Sequence, residues 1–327
     1  MLAKLQIWRD RRGRLSRLRV AALAFLLTPV AIAAWDADTI WHGARPLNDV
    51  IHRAGFWTLV FLMASLAIAP LRRITRWGQL LDVRRMIGVG AFVFGFAHLS
   101  LYAADQMYDI AKIASEIVLR IYLTVGAVAL SGLAVLAATS TDAMVRRLGG
   151  LRWQRLHYAA YGIGVLALLH YFQQVKADVS APTFAAGVFA WLMGYRIVRR
   201  LSKVGGEQST ASLAALSVAV AAATFAAEAA GIAWKFNRPV LDILYLNLDV
   251  DFEYFDFDMI RPGWRVLGAG LAVTVLDAVC ARLITAKPRL DSRTAWAAPR
   301  EDGGSPGGES PAMAVRPAAA TLPRAFL

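Results

Sequence analysis

Apolar residues along this chain come in eight long runs, and charged residues are found mainly in the segments between them. A helix needs about 20 mostly apolar residues to cross the hydrocarbon core of a bilayer, and most of the runs approach that length. The pattern therefore predicts an all-α, polytopic transmembrane helix bundle. The runs cover residues 20–35, 54–70, 86–104, 118–138, 154–172, 183–198, 211–234 and 264–286.

The composition supports a membrane protein and excludes several other classes. Hydrophobic residues make up 57% of the 327 residues, and the mean hydropathy of +0.47 is too high for a soluble domain of this size. The net charge of +13 does not indicate nucleic-acid binding, because the basic residues cluster beside apolar runs. The single cysteine, Cys280, excludes disulfides and cysteine-ligated clusters within the chain.

Arginine-rich and acidic connections alternate along the chain. The positive-inside rule assigns basic connections to the cytoplasm, so we expect a multi-pass protein of the bacterial inner membrane with both termini in the cytoplasm. The acidic connections then lie in the periplasm. The basic connections carry Arg72, Arg73, Arg76, Arg84, Arg85, Arg146, Arg147, Arg152, Arg155, Arg196, Arg199, Arg200 and Lys203.

These features divide the chain into four parts. Residues 1–19 form a basic cytoplasmic N-terminus, and the short run after it is either a first membrane anchor or a signal peptide. Residues 20–203 hold six predicted helices, and residues 204–287 add two helices joined by an acidic periplasmic loop. Residues 288–327, rich in Ala, Pro, Gly and Ser, cannot form a core and are predicted to be a disordered cytoplasmic tail.

Two of the five histidines lie at matching depth in different predicted helices. His98 is about 12 residues, or roughly 18 Å, into a helix that enters from the cytoplasm, and His170 is about 16 residues, or roughly 24 Å, into another. An ionisable side chain at such depth indicates a functional site. The geometry suits a haem held between helices, with one imidazole binding the iron from each side.

Other interpretations of the histidine pair stay open. Zinc is disfavoured, because it prefers three or four ligands and no carboxylate or thiolate lies near either histidine in sequence. Each histidine could instead only bond a neighbouring helix, as in a structural membrane protein or a transporter with proton-relay groups. The only acids inside the runs, Glu228 and Asp277, could pair with each other or with Lys235 and Arg282.

The sequence gives weaker support for a functional role of the other three histidines. His157 lies about three residues inside its helix, near the cytoplasmic interface, and is about 220° around that helix from His170. It is a candidate ligand of a second haem, or a polar group at a quinone or flavin site. His52 begins the second run on the periplasmic side and is a supplementary candidate, with a solvated interface as the alternative. His42 is expected at the surface.

Three stretches of sequence carry a recognisable signature. They are RRMIGVGAFVFGFAHLSLY at 84–102, YLTVG at 122–126, and TSTDAMVRRLGGLRWQRLHYAAYGIGVLALLHY at 139–171. The third joins a loop signature (TST, AM, RRLG, WQ and LH) to a spaced pair of histidines. Over residues 21–200 the chain resembles the MsrQ (YedZ) family of haem-binding membrane subunits, within the ferric-reductase-like transmembrane superfamily.

The resemblance implies a six-helix core that holds haem b, one or possibly two, with His98, His157 and His170 as iron ligands. It implies electrons taken from the quinone pool or from reduced flavin, with flavin mononucleotide (FMN) attributed to some members. The electrons pass to a periplasmic molybdopterin methionine-sulfoxide reductase, MsrP, which repairs oxidised periplasmic proteins. The chain would then be an electron-transfer subunit of an oxidoreductase system, and the partner would be the catalytic subunit.

Two further helices and an acidic connection at 235–263 lie outside the family pattern. The connection could dock a partner or be a solvated loop. A ferric-chelate reductase or superoxide-generating oxidase of the same superfamily is the alternative function. Such relatives have a flavin and nicotinamide domain and a second histidine on the third helix, and this sequence has neither, nor any GxGxxG motif.

Overall fold

The structure is a computed structural model that describes residues 8, 13–175, 178–201, 209–249 and 260–285. Almost all of these residues are helical, and the predicted polytopic helix bundle is confirmed. The helices are α1 (Arg17–Trp35), α2 (Ala37–Trp41), α3 (Pro46–Ile74), α4 (Leu81–Asp105), α5 (Ile110–Leu119), α6 (Ile121–Ala138), α7 (Asp142–Leu148), α8 (Gly150–His157), α9 (Ala159–Gln174), α10 (Ser180–Leu201), α11 (Thr210–Phe236), α12 (Val240–Leu248) and α13 (Pro262–Thr285).

Seven of the described helices are long and apolar enough to cross a membrane: α1, α3, α4, α6, α10, α11 and α13. The remaining predicted helix, at 154–172, is divided into α8 and α9. Tyr158 separates them with φ −66° and ψ −21°, which are α-helical values, so the chain keeps its helical course. The 16 residues of α9 reach only about 24 Å on their own, and α8 supplies the remaining length.

Several connections are themselves short helices with ordinary caps. The Asp109 carboxylate accepts a hydrogen bond from the backbone N–H of Lys112 at 2.9 Å and so begins α5. The Thr141 hydroxyl accepts one from the N–H of Met144 at 3.2 Å and begins α7. Arg120, in extended conformation between α5 and α6, divides the predicted run at 118–138 near its start.

The core of the bundle consists of two hydrophobic clusters that share α3 and α9. Leu66 and Leu168 belong to the cluster against α10 and α11, whereas Phe61 and Ile163 belong to the cluster against α1, α4 and α6. Phe61 is completely buried. Helices α3 and α9 therefore form the centre of the bundle, and α3 and α4 pack along most of their lengths.

Large apolar side chains also cover the outside of the bundle. Val30, Leu169 and Val218 are 57%, 48% and 57% exposed, each on a helix that was predicted to span the membrane. In water such a surface would be an aggregation hazard, whereas in a bilayer it faces lipid. Together with the seven long helices, this surface shows a multi-pass membrane protein.

Arg196 has a structural role that its place in a basic connection does not suggest. Pro70 lies inside α3 and has no N–H, so the carbonyl of Leu66 lacks its helical donor. Arg196 of α10 donates from Nη2 to that carbonyl at 2.6 Å and from Nη1 to the Leu192 carbonyl. Its Nε donates to the Tyr161 hydroxyl at 3.3 Å. One guanidinium therefore joins α3, α9 and α10.

The two C-terminal helices pack closely on α10. A Cβ on Gly270 of α13 would lie 2.5 Å from the Ser217 hydroxyl of α11, which accepts a hydrogen bond from Trp191 Nε1 at 3.0 Å. A Cβ on Gly187 of α10 would lie 2.5 Å from Val266 Cγ2. Because only glycine permits these approaches, α11 and α13 are an integral part of the bundle.

Part of the predicted acidic loop is helical. Residues 240–248 form α12 because the segment VLDILYLNL is mostly apolar, with Asn247 completely buried. The rest of the acidic run, at 250–259, lies outside the described residues. So do the predicted tail at 288–327, most of the basic N-terminus before residue 13, and Lys203.

Candidate functional site

His98 and His170 face each other between α4 and α9. Their ring centroids are 6.3 Å apart and the ring planes are inclined at 79°. His98 lies in the second half of α4 and His170 near the end of α9, so both are at the end of the bundle away from the basic connections. The two histidines that the sequence predicts at matching depth are therefore neighbours in the bundle.

The two imidazoles are held in the same tautomer. His98 Nδ1 lies 2.7 Å from the carbonyl oxygen of Ile51, and His170 Nδ1 lies 2.8 Å from that of Tyr122. A carbonyl can only accept a hydrogen bond, so each Nδ1 carries the proton and each Nε2 keeps its lone pair. This arrangement, with one nitrogen bonded to a backbone carbonyl, is typical of metal-ligating histidines.

Two glycines allow the neighbouring helices to approach the imidazoles. A Cβ on Gly126 of α6 would lie 2.8 Å from Cε1 and Nδ1 of His170, and one on Gly55 of α3 would lie 3.2 Å from the same atoms of His98. Any larger residue at Gly126 would displace the ring. Neither glycine is among the site residues predicted from the sequence, although Gly126 ends the YLTVG signature.

The histidines line a cavity of about 630 Å³, bounded by α3, α4, α6 and α9. Its walls are mostly apolar, and they include Leu59, Leu130 and Leu133. Polar residues, among them His52, Arg53 and Gln174, line the cavity as well. Arg53 pairs with Asp36 through an Nη1–Oδ2 distance of 2.8 Å.

The geometry fits a haem better than a bare metal ion. The ring centroids are 6.3 Å apart, a separation compatible with two imidazoles that bind one iron between them, because each metal–nitrogen bond is about 2.0 Å long. Among the described residues no group of three His, Cys, Asp or Glu side chains could hold a metal ion. A macrocycle that brings its own four nitrogens needs only the two histidines.

His157 lies apart from this pair and does not line the cavity. Its Nδ1 is 3.0 Å from the Trp153 carbonyl, its Nε2 is 3.3 Å from the Ser140 hydroxyl, and its ring stacks on Trp153 at 3.9 Å. Nδ1 therefore donates to a backbone carbonyl, whereas Nε2 lies within hydrogen-bond distance of a hydroxyl that itself donates to the Leu136 carbonyl at 2.7 Å. Arg85 and Asp142 pair at the same end of the bundle, which we call the arginine-rich end.

The two other histidines differ in their surroundings. His52 lines the cavity and is thereby brought to the site, as the sequence analysis allowed. His42 is exposed at the end of α2, where its Nδ1 is 2.7 Å from the carbonyl of Asp38. It has no contact with the cavity, as expected.

Comparison with known proteins gives consistent matches. The family described as ferric reductase like transmembrane component matches residues 54–168. The protein-methionine-sulfoxide reductase heme-binding subunit MsrQ of Azospira oryzae is 40% identical over 198 residues, which are 59% of this chain and 84% of that protein. The corresponding protein of Rhodospirillum rubrum is 41% identical over 200 residues, 58% of this chain and 89% of the relative.

A third relative of the same name, from Xanthomonas euvesicatoria, is 39% identical over 186 residues, which are 55% of this chain and 85% of its own. No solved structure matches the chain. The matched share of each relative is large, and His98, Gly126 and His157 all lie within the segment that matches the ferric reductase family. The chain belongs to the MsrQ family of ferric-reductase-like membrane subunits.

Proposed function

We propose that the chain is a haem b electron-transfer subunit of a methionine-sulfoxide reductase system. Electrons come from the quinone pool and leave to a periplasmic molybdopterin reductase of the MsrP kind, which repairs oxidised periplasmic proteins. The observation that carries the proposal is the pairing of His98 and His170, each with its Nδ1 proton fixed on a backbone carbonyl. The names of the relatives, all heme-binding subunits, support it.

Each part of the cavity has a task in this function. His98 and His170 would hold the iron, and the carbonyls of Ile51 and Tyr122 fix the two rings and raise the basicity of the ligating nitrogens. The apolar walls exclude water, and Arg53 offers positive charge for the propionates of the macrocycle. When bound, haem supplies a site that accepts and releases single electrons.

The proposed orientation follows from charge. With the arginine-rich end in the cytoplasm, both termini are cytoplasmic and the histidine pair lies in the periplasmic half of the inner membrane. Electrons then leave on the side where the reductase is found. The chemistry of methionine sulfoxide takes place on that partner. Flavin mononucleotide, which the resemblance attributes to some members, stays a prediction.

A spectrum of the purified protein tests the proposal. The dithionite-reduced minus oxidised difference spectrum should show the bands of b-type haem, with one haem per chain. Protein purified from haem-replete cells is needed so that occupancy is not limited by supply. A colourless protein under these conditions would contradict the proposal.

His157 provides a separate prediction about the number of haems. Its Nδ1 bonds the Trp153 carbonyl and its Nε2 lies 3.3 Å from the Ser140 hydroxyl, and among the described residues it has no second histidine beside it. We therefore expect His157→Ala to leave the haem-to-protein ratio unchanged in a pyridine haemochrome assay. His42→Ala, which alters an exposed histidine, is the matched control. A lower ratio in His157→Ala alone would reveal a second haem.

A further inference from the structure

A second cavity, of about 770 Å³, lies among α9, α10, α11 and the residues before α13. Glu228 of α11 lines it with a side chain that is completely buried. Neither of its carboxylate oxygens has a hydrogen-bond partner. A buried carboxylate without a hydrogen bond is strongly disfavoured, so its presence in this wall indicates a ligand that donates one.

Arg261 and Asp178, two other charged residues of this cavity, do not meet that need. Arg261 Nη1 is 3.7 Å from Glu228 Oε1, close enough for ionic attraction but too far for a hydrogen bond. The Asp178 carboxylate accepts a hydrogen bond from the Ser180 N–H at 2.8 Å. Hydrogen bonds from Ser180 hold the pKa of Asp178 below its usual value, which makes Asp178 a poor proton acceptor. Glu228 remains as the acceptor.

The second cavity is separated from the histidine cavity only by the end of α9. Tyr171 and Gln174 line the first cavity, whereas Phe172 lines the second. Phe172 follows His170 by two residues, an axial rise of about 3 Å. A redox-active ligand against Phe172 would therefore lie within short electron-transfer distance of the histidine pair.

The walls suit a flat, membrane-soluble ring. Phe172 and Ile232 line the cavity with apolar groups, and Trp234 and Phe236 line it while being 90% and 61% exposed. Such surroundings admit a lipid-dissolved molecule from the side. Glu228 can accept a hydrogen bond from a quinol hydroxyl, and Arg261 can donate one to a quinone carbonyl. The cavity therefore offers a hydrogen-bond partner to both the reduced and the oxidised ring.

We propose that this cavity binds the headgroup of a membrane quinol, with Glu228 accepting the hydrogen bond and then the proton of a quinol hydroxyl. The site is built largely from α11, the first of the two C-terminal helices, together with Arg261 just before α13, which gives α11 a function. This inference rests on the proposed function, because it needs haem at His98 and His170 as electron acceptor.

The proposed step is the two-electron, two-proton oxidation of the quinol to a quinone. Both O–H bonds of the quinol break, and two carbonyls form on the ring. The two electrons would pass one at a time to a haem held by His98 and His170, and the reductase would accept each electron before the next arrives. Two protons would be released in turn through Glu228, which would pass the first to bulk solvent at the open side of the cavity before accepting the second.

Photolabelling tests binding independently of electron transfer. A photoactivatable azidoquinone is irradiated with the purified full-length protein, and labelled peptides are identified by mass spectrometry. We expect label on the segment from Glu228 to Phe236 or on Phe172, and competition by decylubiquinone. Label confined to the histidine cavity, or competed by phospholipid vesicles but not by decylubiquinone, would overturn the proposal. Ile232→Trp, which narrows the cavity but keeps Glu228, should lose most of the label.

Stopped-flow reduction by decylubiquinol tests the proton acceptor. Glu228→Gln keeps the size of the side chain but removes the base, so we expect the rate of haem reduction to fall at least about tenfold. Its reduction by dithionite and its haem content should match the wild type. Asp242→Asn, which alters an exposed carboxylate of α12, is the control and should reduce at the normal rate.

The two proposals fail in different ways. A wild-type protein without a dithionite-reducible b-type spectrum contradicts the proposed function. A normal spectrum combined with an unchanged decylubiquinol rate in Glu228→Gln overturns the quinol site alone. If Glu228→Gln lacks haem because it misfolds, the Ile232→Trp variant, tested by both labelling and reduction rate, decides the matter.

Discussion

Replacement of His170 or His98 by alanine is expected to abolish the b-type haem spectrum of the purified protein. Each change removes one of the two imidazoles that face each other between α4 and α9, each with its Nδ1 bonded to a backbone carbonyl. Loss of a group that only hydrogen-bonds a metal-ligating histidine typically lowers metal affinity by about 10- to 100-fold. Loss of the histidine itself should lower haem affinity by at least as much. The haem-to-protein ratio after size-exclusion chromatography measures the effect.

The control for this pair is His42→Ala, because His42 is exposed and does not line the cavity. A fold check by thermal unfolding separates loss of haem from loss of structure. Full haem content in either His98→Ala or His170→Ala would show that the iron is held elsewhere in the bundle, and the functional proposal would then lose its main support.

The pairing of these histidines could be predicted because helix geometry is regular. Counting residues from the arginine-rich connections gave the depth of each imidazole, since every residue advances the helix by about 1.5 Å. The direction of the side chains was not predictable in the same way. The carbonyls that hold His98 and His170 belong to Ile51 and Tyr122, which are 47 and 48 residues away in the chain, and only packing brings them there.

The register between α11 and α13, and with it the partners of their charged residues, could not be predicted from the sequence. Glu228 and Asp277 were considered as partners, but Glu228 lies beside Arg261 and Asp277 accepts a hydrogen bond from Thr210 at 2.8 Å. Helices α11 and α13 run antiparallel, so residues 228 and 277 face opposite ends of the bundle, about 27 Å apart along α11. Spacing within each helix does not reveal this register.

The role of Arg196 could not be predicted from the sequence either. By sequence it is one of many basic residues that mark the cytoplasmic side. In the structure its guanidinium satisfies the Leu66 carbonyl left free by Pro70. The proline alone predicts an unsatisfied carbonyl, but the donor comes from a residue 130 positions later. The sequence thus predicts that the Leu66 carbonyl needs a hydrogen-bond donor, and only the tertiary structure shows that Arg196 supplies it.

The strongest test of the preformed site is a single methyl group on Gly126. A Cβ there would lie 2.8 Å from the His170 ring, closer than Cβ atoms normally approach other atoms. The ring cannot move away easily, because its Nδ1 is bonded to the Tyr122 carbonyl at 2.8 Å. We expect Gly126→Ala to displace the imidazole and lower haem affinity by about 10- to 100-fold, measured by haem titration of the apoprotein.

Two other glycines make the prediction a graded series. Gly55→Ala places its Cβ 3.2 Å from His98, a contact that a small shift relieves, whereas a Cβ on Gly162 of α9 meets nothing within 4 Å. Haem affinity should therefore fall most in Gly126→Ala, less in Gly55→Ala and not at all in Gly162→Ala. Alanine favours a helix over glycine by about 1 kcal/mol, so reduced helix propensity cannot explain such an order. Equal affinity in all three variants would mean that the glycines do not position the imidazoles.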